Sequence, residues 1–366
     1  MNRAATNEPV RHRLYKGDNL EVMRRIYPEF AGKVPFMYID PPYNTGFSQF
    51  RNYKDKFWGY YDRRRHEGWE KFMEERLEMA YRLLSPTGKI FVSIDDHELP
   101  HLILLMRRLF GRDNVEVMIW DKVPQGGSAG QGKMKRSKRF RIDHEYIVVG
   151  YVNKQWTRFN KPRMLIPVQK EYGNPDNDPR GPWISAELCK SKQKSNPRGK
   201  NYYSITTPGG RVITRQWHVS PEEFERLDRD GRIWWGNGRI IPRLKKFVHE
   251  PRPVTPSSII RNISQTEGIR DLERWGLKSL FAHPKPVRLL KYLLEMASSP
   301  GDTVMDFFAG SGSLAEAVME MNHSLGHRRQ CILITNDEDQ TIDRVLMPRI
   351  EKISKAYPGG HWTYYF

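Results

Sequence analysis

Short apolar strand patterns alternate with amphipathic helices, stop, and then resume near the other end of the chain. This feature limits the possible folds more than any other. VPFMYID (34–40) is an apolar run ending in turn chemistry, and WEKFMEERLEMAYRLL (69–84) has helical spacing closed by SPTG. KIFVSID (89–95) reads as a buried strand, and LPHLILLMRRLFG (99–111) as a helix. Such alternation predicts a parallel, doubly wound sheet. VEVMIW (115–120) and EYIVVGYV (145–152) are two further strands, separated by a glycine-rich basic stretch from Lys122 to Arg141. From about Asn153 to Thr255 prolines, glycines, tryptophans and basic residues dominate, with helix visible mainly in SPEEFERLDRDG, where Ser220 caps and Glu223 follows three residues on. KPVRLLKYLLEMAS, DTVMDFF, SLAEAVMEMN and QCILIT then restore the helix and strand pattern. The expected organisation is therefore a core half over 1–152, an inserted region over 153–255 and a second core half over 256–366, with one sheet built from both ends.

The net charge is +18 over 366 residues. A surplus of that size is the electrostatic mark of a polyanionic partner, with nucleic acid the first candidate. Cys189 and Cys331 lie far apart with no CxxC pattern, so neither a metal cluster nor a disulfide framework is expected. No apolar stretch approaches membrane-spanning length, and MNRAATNEPVRHR lacks the apolar core of a signal peptide. A cytoplasmic protein is expected.

Two motifs carry chemistry. TVMDFFAGSGSLAEAV (303–318) reads as strand, glycine turn and helix, where Gly310 and Gly312 let the backbone approach a ligand beside unpaired helix N–H groups. Alone this pattern serves both nucleotide-like ligands and ordinary tight turns. FMYIDPPYNTGF (36–47) is more specific. Asp40 falls at the carboxyl end of its strand, where ligands bind in open α/β sheets. Pro41 and Pro42 stiffen the backbone and leave carbonyls free, and Tyr43 offers a flat π surface. Together these groups suit a planar base with an exocyclic amine. The base stacks on Tyr43 while the amine donates to the Asp40 carboxylate and a proline carbonyl. Two acceptors pulling on the hydrogens free a lone pair otherwise delocalised into the ring.

The run Asp40-Pro41-Pro42-Tyr43-Asn44-Thr45-Gly46 with Asp306-Phe307-Phe308-Ala309-Gly310-Ser311-Gly312-Ser313 resembles the β-class amino-methyltransferases of DNA. It is most similar to the Mod subunits of type III restriction systems and to related solitary adenine methyltransferases. YKGDNLEVM, RLEMAYRLLSPTGKIFVSIDDHE, DHEYIVVGY and HPKPVRLLKYLLEMAS also look like family blocks, in the family's order. The resemblance implies a circularly permuted Rossmann-like α/β methyltransferase fold with an inserted target-recognition region, and S-adenosylmethionine as cofactor. It implies that Asp306, Phe308, Ala309, Gly310, Ser311 and Gly312 form the cofactor turn, that Lys285 and Pro286 contact the methionine end, and that Asp18 lies near the adenosine. For the ribose it offers Asn336, Asp337 or Glu338, of which Asn336 is the first choice.

The resemblance further implies methyl transfer to the N6 amine of an adenine flipped out of double-stranded DNA. Asp at the first motif position leans toward adenine. Cytosine N4 is the runner-up, and a recognition subunit inactive without a partner is a third reading. A homodimer and a restriction subunit are companions the family allows. For phosphate contacts the candidates are Lys133, Lys135, Arg136, Lys138 and Arg139 in the first basic stretch and Lys192 and Lys194 in CKSKQKSNPRGKNYY. Trp234 and Trp235 are read as part of the insert's own core in preference to a wedge in DNA. His144 with Glu145 is read as a structural pair in preference to a metal site.

Overall fold

The structure, a computed structural model, describes residues 8–44, 65–123, 142–164, 172–236, 241–337 and 340–366. The chain divides into two compact units, one of Met1–Lys161 with Thr255–Phe366 and one of Pro162–Val254. Residues 153–161, expected in the insert, belong to the larger unit.

In the larger unit the chain runs through β1 (Val10–Lys16), α1 (Asn19–Phe30), β2 (Val34–Ile39), α2 (Arg65–Leu83), β3 (Leu84–Ile94), α3 (Leu99–Phe110), β4 (Val115–Asp121) and β5 (His144–Tyr151). The smaller unit holds β6 (Arg163–Met164), β7 (Trp183–Glu187), β8 (Tyr202–Thr206), β9 (Val212–Gln216), α4 (Pro221–Arg229), β10 (Ile233–Trp234), β11 (Arg243–Phe247) and β12 (Arg252–Pro253). The larger unit resumes with β13 (Ile259–Ile260), α5 (Gln265–Arg274), α6 (Val287–Ala297), β14 (Thr303–Asp306), α7 (Ser313–Leu325), β15 (Gln330–Thr335), α8 (Met347–Ala356) and β16 (Gly360–Tyr365).

Nine strands form one sheet in the order β13-β4-β5-β3-β2-β14-β15-β1-β16. The two ends of the chain meet at its centre, where β14 pairs in parallel with β2 through Val304↔Phe36 and Met305↔Met37. The sheet is parallel, as expected, except at one strand. β5 runs antiparallel to both β3 and β4, while every other neighbouring pair is parallel. Apolar periodicity reports burial and not direction, so β5, almost wholly buried, reads the same either way.

Alternation along each strand sends side chains to opposite faces. Met37, Ile39, Ile90, Val92, Ile94, Met305, Phe307, Ile332 and Ile334 share a core with Trp69, Met73 and Leu77 of α2 and with the buried stripes of α1 and α3. The second group of helices packs among itself, α5 on α6, α6 on α7 and α7 on α8. The SPTG turn is kept inside β3 as a looped-out step: Val34 pairs with Leu84, but Phe36 pairs with Lys89. Gly88 is needed there because a Cβ would meet backbone atoms of Ser85 at 2.8 Å.

The smaller unit is built from short pieces: a hairpin of β8 and β9, a three-stranded sheet in the order β10-β11-β7, and the β6–β12 pair. Its core is Leu188, Cys189, Ile213, Trp217, Phe224, Leu227 and Ile233. Trp235 packs on Phe224 at 6.0 Å and donates its Nε1–H to Asp228 at 2.7 Å, while Trp234 lies 5.3 Å from Trp183. Both tryptophans are half-buried within this unit. Ser220 caps α4 by accepting from the Glu223 N–H, whereas the Glu223 carboxylate pairs with Arg226 and not back to the cap.

Candidate active site

The chain leaves β14 through α7 to reach β15 on one side, and leaves β2 through α2 to reach β3 on the other. The boundary between β14 and β2 is therefore a topological switch point, where a crevice opens beyond the carboxyl ends of the strands. A cleft of about 410 Å³ lies there, and its lining includes Asp40, Pro41, Pro42, Tyr43, Glu145 and Lys285. Phe308, Gly310, Thr335 and Asn336 complete the wall from the side of the glycine turn.

Within this cleft the Tyr43 hydroxyl stands 2.8 Å from Asp40 Oδ1 and 3.2 Å from Glu145 Oε2. Lys285 Nζ donates to the same hydroxyl at 2.6 Å and pairs with Asp40 Oδ1 at 3.0 Å and Glu145 Oε2 at 3.1 Å. At 4.9 Å from the Tyr43 ring centroid, the ammonium sits out beyond the phenol oxygen and does not cover the ring. Lys122 holds the other Glu145 oxygen, Oε1, at 3.0 Å. Asp40 Oδ1 is thus taken, while Oδ2 has no bonded partner among the described residues. The proline carbonyls differ in the same way. Pro42 accepts from the indole N–H of buried Trp69 at 2.7 Å, and no described donor reaches Pro41.

These contacts set the proton affinities. Burial raises the Asp40 carboxyl above its ordinary value, against the pull of Lys285. Burial works against the charge of Lys285, but Asp40 and Glu145 outweigh it and hold the ammonium above its usual range. Glu145 is also penalised by burial, yet Lys285 and Lys122 keep it below the ordinary carboxylate value. The cluster thus sets two buried carboxyls, Asp40 and Glu145, on either side of one ammonium, with Lys122 on the far oxygen of Glu145.

Asp306 ends β14 and is 4% exposed. It accepts the Phe308 N–H at 2.9 Å, and no cation is paired with it among the described residues. Burial pushes its pKa up to about 8. The folded protein then binds a proton there that the unfolded chain releases in the ordinary carboxylate range. Stability contributed by this group is consequently lost as pH rises from that range toward 8 and is constant above. Asp306→Asn is expected to be more stable than the wild type by an amount that opens across that window to on the order of a few kcal/mol. Thermal unfolding of both proteins at a series of pH values checks this; parallel curves would refute it.

The glycine turn is fastened from beneath. Gly310 and Gly312 have φ of 48° and 80°, which glycine adopts without strain. Arg349 donates to the Ser311 carbonyl at 3.0 Å, to Ser311 Oγ at 3.1 Å and to Ser313 Oγ at 3.2 Å. Its Nε bonds Glu316 Oε2 at 2.8 Å, and both side chains are fully buried. Arg274 and the Trp275 indole, the latter at 2.9 Å, complete the shell around Glu316.

Of the residues expected at the site, Asp40, Pro41, Pro42, Tyr43, Lys285, Phe308, Gly310 and Asn336 line the cleft. Asp306, Ala309, Ser311, Gly312 and Pro286 are not among its lining residues: Asp306 is buried at the end of β14, Gly312 N donates to the Ala309 carbonyl, and Pro286 precedes α6 at its N-cap position. Asp18 faces elsewhere, capping α1 through the N–H groups of Leu20 and Glu21 and pairing with Arg76 at 2.7 Å. Its neighbour Asn19 reaches the Phe307 carbonyl at 2.8 Å, so this turn braces the strand that carries Asp306. Asp337 is held by Lys16 at 2.7 Å, and Glu338 lies outside the described residues, as do Thr45, Gly46, Lys133, Lys135, Arg136, Lys138, Arg139 and Arg141. Lys192 and Lys194 are exposed on the smaller unit.

Glu145 and Lys122 were not expected here. The sequence pairs Glu145 with His144 in a structural role, whereas His144 turns to Tyr146 at 2.8 Å and Glu145 faces the cleft. The antiparallel course of β5 brings its first residues to the edge where β2 and β14 end. No local signal marks this.

The chain is 32% identical to the StyLTI Mod subunit of a type III restriction-modification enzyme from Salmonella typhimurium, over 96% of this chain and 58% of the relative. It is 39% identical to a probable HindVI Mod subunit from Haemophilus influenzae, over 98% of this chain and 53% of that protein. It thus spans a little over half the length of these relatives. Among solved structures, a putative DNA modification methylase from Thermus thermophilus aligns over 97% of this chain and 100% of its own, with 16% identity and a TM-score of 0.46. The sequence model of the DNA methylase family matches residues 34–339, a span that takes in the Asp-Pro-Pro-Tyr turn, Glu145, Lys285 and the glycine turn, and by that match the chain belongs to this family.

Proposed function

We propose that the chain transfers a methyl group from S-adenosylmethionine to the N6 amine of an adenine flipped out of double-stranded DNA, as the modification component of a restriction-modification pair. The observation that carries this reading is the pair of acceptors in the cleft that no described residue engages, Asp40 Oδ2 and the Pro41 carbonyl, while Asp40 Oδ1 and the Pro42 carbonyl are already engaged. An amine with two N–H bonds is the donor such a pair accepts.

The cofactor is judged against the cleft itself. Asp306 is buried at the end of β14, outside the residues that line the cleft and with no cation paired to it among the described residues, and a positively charged ligand in the cleft would favour its ionised form. Asn336, Gly310 and the Phe308 ring present hydrogen-bonding groups, an open backbone and an apolar face to the rest of it. S-adenosylmethionine, when bound, supplies a methyl group on positively charged sulfur with a neutral thioether as leaving group.

The chain's own groups do the remainder. Asp40 Oδ2 and the Pro41 carbonyl orient the amine, favouring a nitrogen whose lone pair points away from the ring and toward the methyl carbon. As that lone pair forms the new N–C bond, positive charge grows on nitrogen beside the Asp40 carboxylate, which takes the departing proton. Tyr43, held by its hydroxyl, presents its ring to the base. The Ser311–Ser313 turn, tied to Arg349, fixes the backbone next to the cofactor. The smaller unit is assigned to target recognition, with exposed Lys192 and Lys194 contacting phosphates.

The test is to incubate the purified chain with methyl-labelled S-adenosylmethionine and mixed-sequence duplex DNA and to identify the labelled nucleoside by mass spectrometry. N6-methyladenine is expected. N4-methylcytosine would overturn the choice of base, and absence of label would overturn activity of the chain by itself.

A further inference from the structure

Asp40 has a buried ammonium 3.0 Å from its Oδ1, and that ammonium opposes what the carboxylate is there to do. A positive charge so close weakens both the attraction for charge developing on the amine nitrogen and the affinity for its proton. Glu145 offsets it. Its side chain is 6% exposed, it shares Lys285 with Asp40, and it reaches Asp40 through the Tyr43 hydroxyl as well. Lys122, arriving from the end of β4, pairs with the far oxygen of Glu145, so the shared ammonium is drawn toward a carboxylate that is itself anchored.

We infer that Glu145 is a positioning residue for methyl transfer, dividing Lys285 between two carboxylates so that Asp40 keeps one oxygen open and strong enough to take the amine proton. This rests on the function proposed above and deepens it. Glu145 touches neither amine nor cofactor in this role; it acts through Lys285 and Tyr43. The remaining titratable groups around the cluster are Tyr38 on β2, Asp306 on β14 and His283 in the cleft wall. The electrostatics agree in sign: after burial itself and Lys285, which act in opposite directions, the charge of Glu145 is the next influence on Asp40 and raises its proton affinity. With Glu145 neutral, Lys285 and Lys122 would stand against Asp40 alone.

The experiment uses the whole chain, methyl-labelled S-adenosylmethionine and unmodified mixed-sequence duplex DNA, measuring kcat and both KM values across pH. Glu145→Gln is expected to lower kcat about tenfold or more, with a much smaller change in KM for DNA, and to move the acidic limb of the kcat profile to lower pH. Glu145→Asp, which keeps the charge, should restore the limb. Adding Lys285→Met to Glu145→Gln should also bring it back, because the opposing ammonium is gone. A limb that stays in place in Glu145→Gln, or moves further away in the double variant, overturns the inference while leaving the proposed function standing. A wild-type chain that labels no DNA overturns the proposed function instead.

Discussion

Under the proposed function, Asp40→Ala is expected to lower methyl transfer by a factor of about 10² to 10⁴ while leaving duplex binding close to wild type. The substitution removes both the open acceptor and the site for the departing proton, interactions strongest when charge develops on the amine. It leaves the basic surface unchanged, so affinity for DNA and its dependence on salt should persist. The neighbourhood tolerates the loss better than most charged sites would. Lys285 keeps Glu145 at 3.1 Å and the Tyr43 hydroxyl at 2.6 Å, so no ammonium is stranded. Single-turnover labelling beside an equilibrium binding curve separates the effects. Comparable turnover in mutant and wild type would remove Asp40 from the chemistry, whereas a matching fall in binding would assign it to DNA affinity.

Arg349→Met is expected to cost about 3–5 kcal/mol of stability, because it removes the buried cation on Glu316 Oε2 and leaves that carboxylate only Arg274 and the Trp275 indole. Both side chains are fully buried, and burial draws the Arg349 guanidinium below its ordinary pKa against the pull of Glu316. Adding Glu316→Leu removes the under-compensated buried charge and should recover most of the loss, since an apolar pair of similar volume replaces an ion pair at little net cost and Arg274, half-exposed, can turn to water. The double variant still lacks the donor to the Ser311 carbonyl, Ser311 Oγ and Ser313 Oγ. Cofactor binding should therefore stay weak in a protein that unfolds near the wild-type temperature. Chemical denaturation and direct binding of S-adenosylmethionine read the two quantities. A double variant as unstable as the single one would contradict the buried-charge account, and one that binds normally would show that the turn needs no fastening.

The parts of the protein legible from its residues are those encoded over short spans. Asp40 at the end of an apolar run and Gly310 and Gly312 between a strand and a helix lie where their neighbours predict, because strand burial, turn geometry and helix N-termini all depend on residues close in sequence. Asp18 shows the limit of such reading. Its place in a Gly-Asp-Asn turn fits a ligand contact and a helix cap equally, and the structure uses both of its oxygens for the cap and for Arg76. The basic residues resist in another way. A lysine on a phosphate and a lysine in water have the same sequence signature, and exposure of Lys192 and Lys194 is compatible with either.

The residues alone point to an α/β sheet assembled from both ends of the chain around an insert, and single out an Asp-Pro-Pro-Tyr turn and a glycine turn as the candidates for its chemistry. Only the tertiary structure decided that β2 and β14 lie side by side, that β5 runs against its neighbours, and that Glu145 and Lys122 thereby join Asp40, Tyr43 and Lys285. It also decided that Arg349 and Glu316 hold the glycine turn from below. The physical reason is that periodicity records whether a side chain is buried, while strand order and direction follow from how whole faces pack together. A charge brought to a site by that packing carries no mark in the residues beside it.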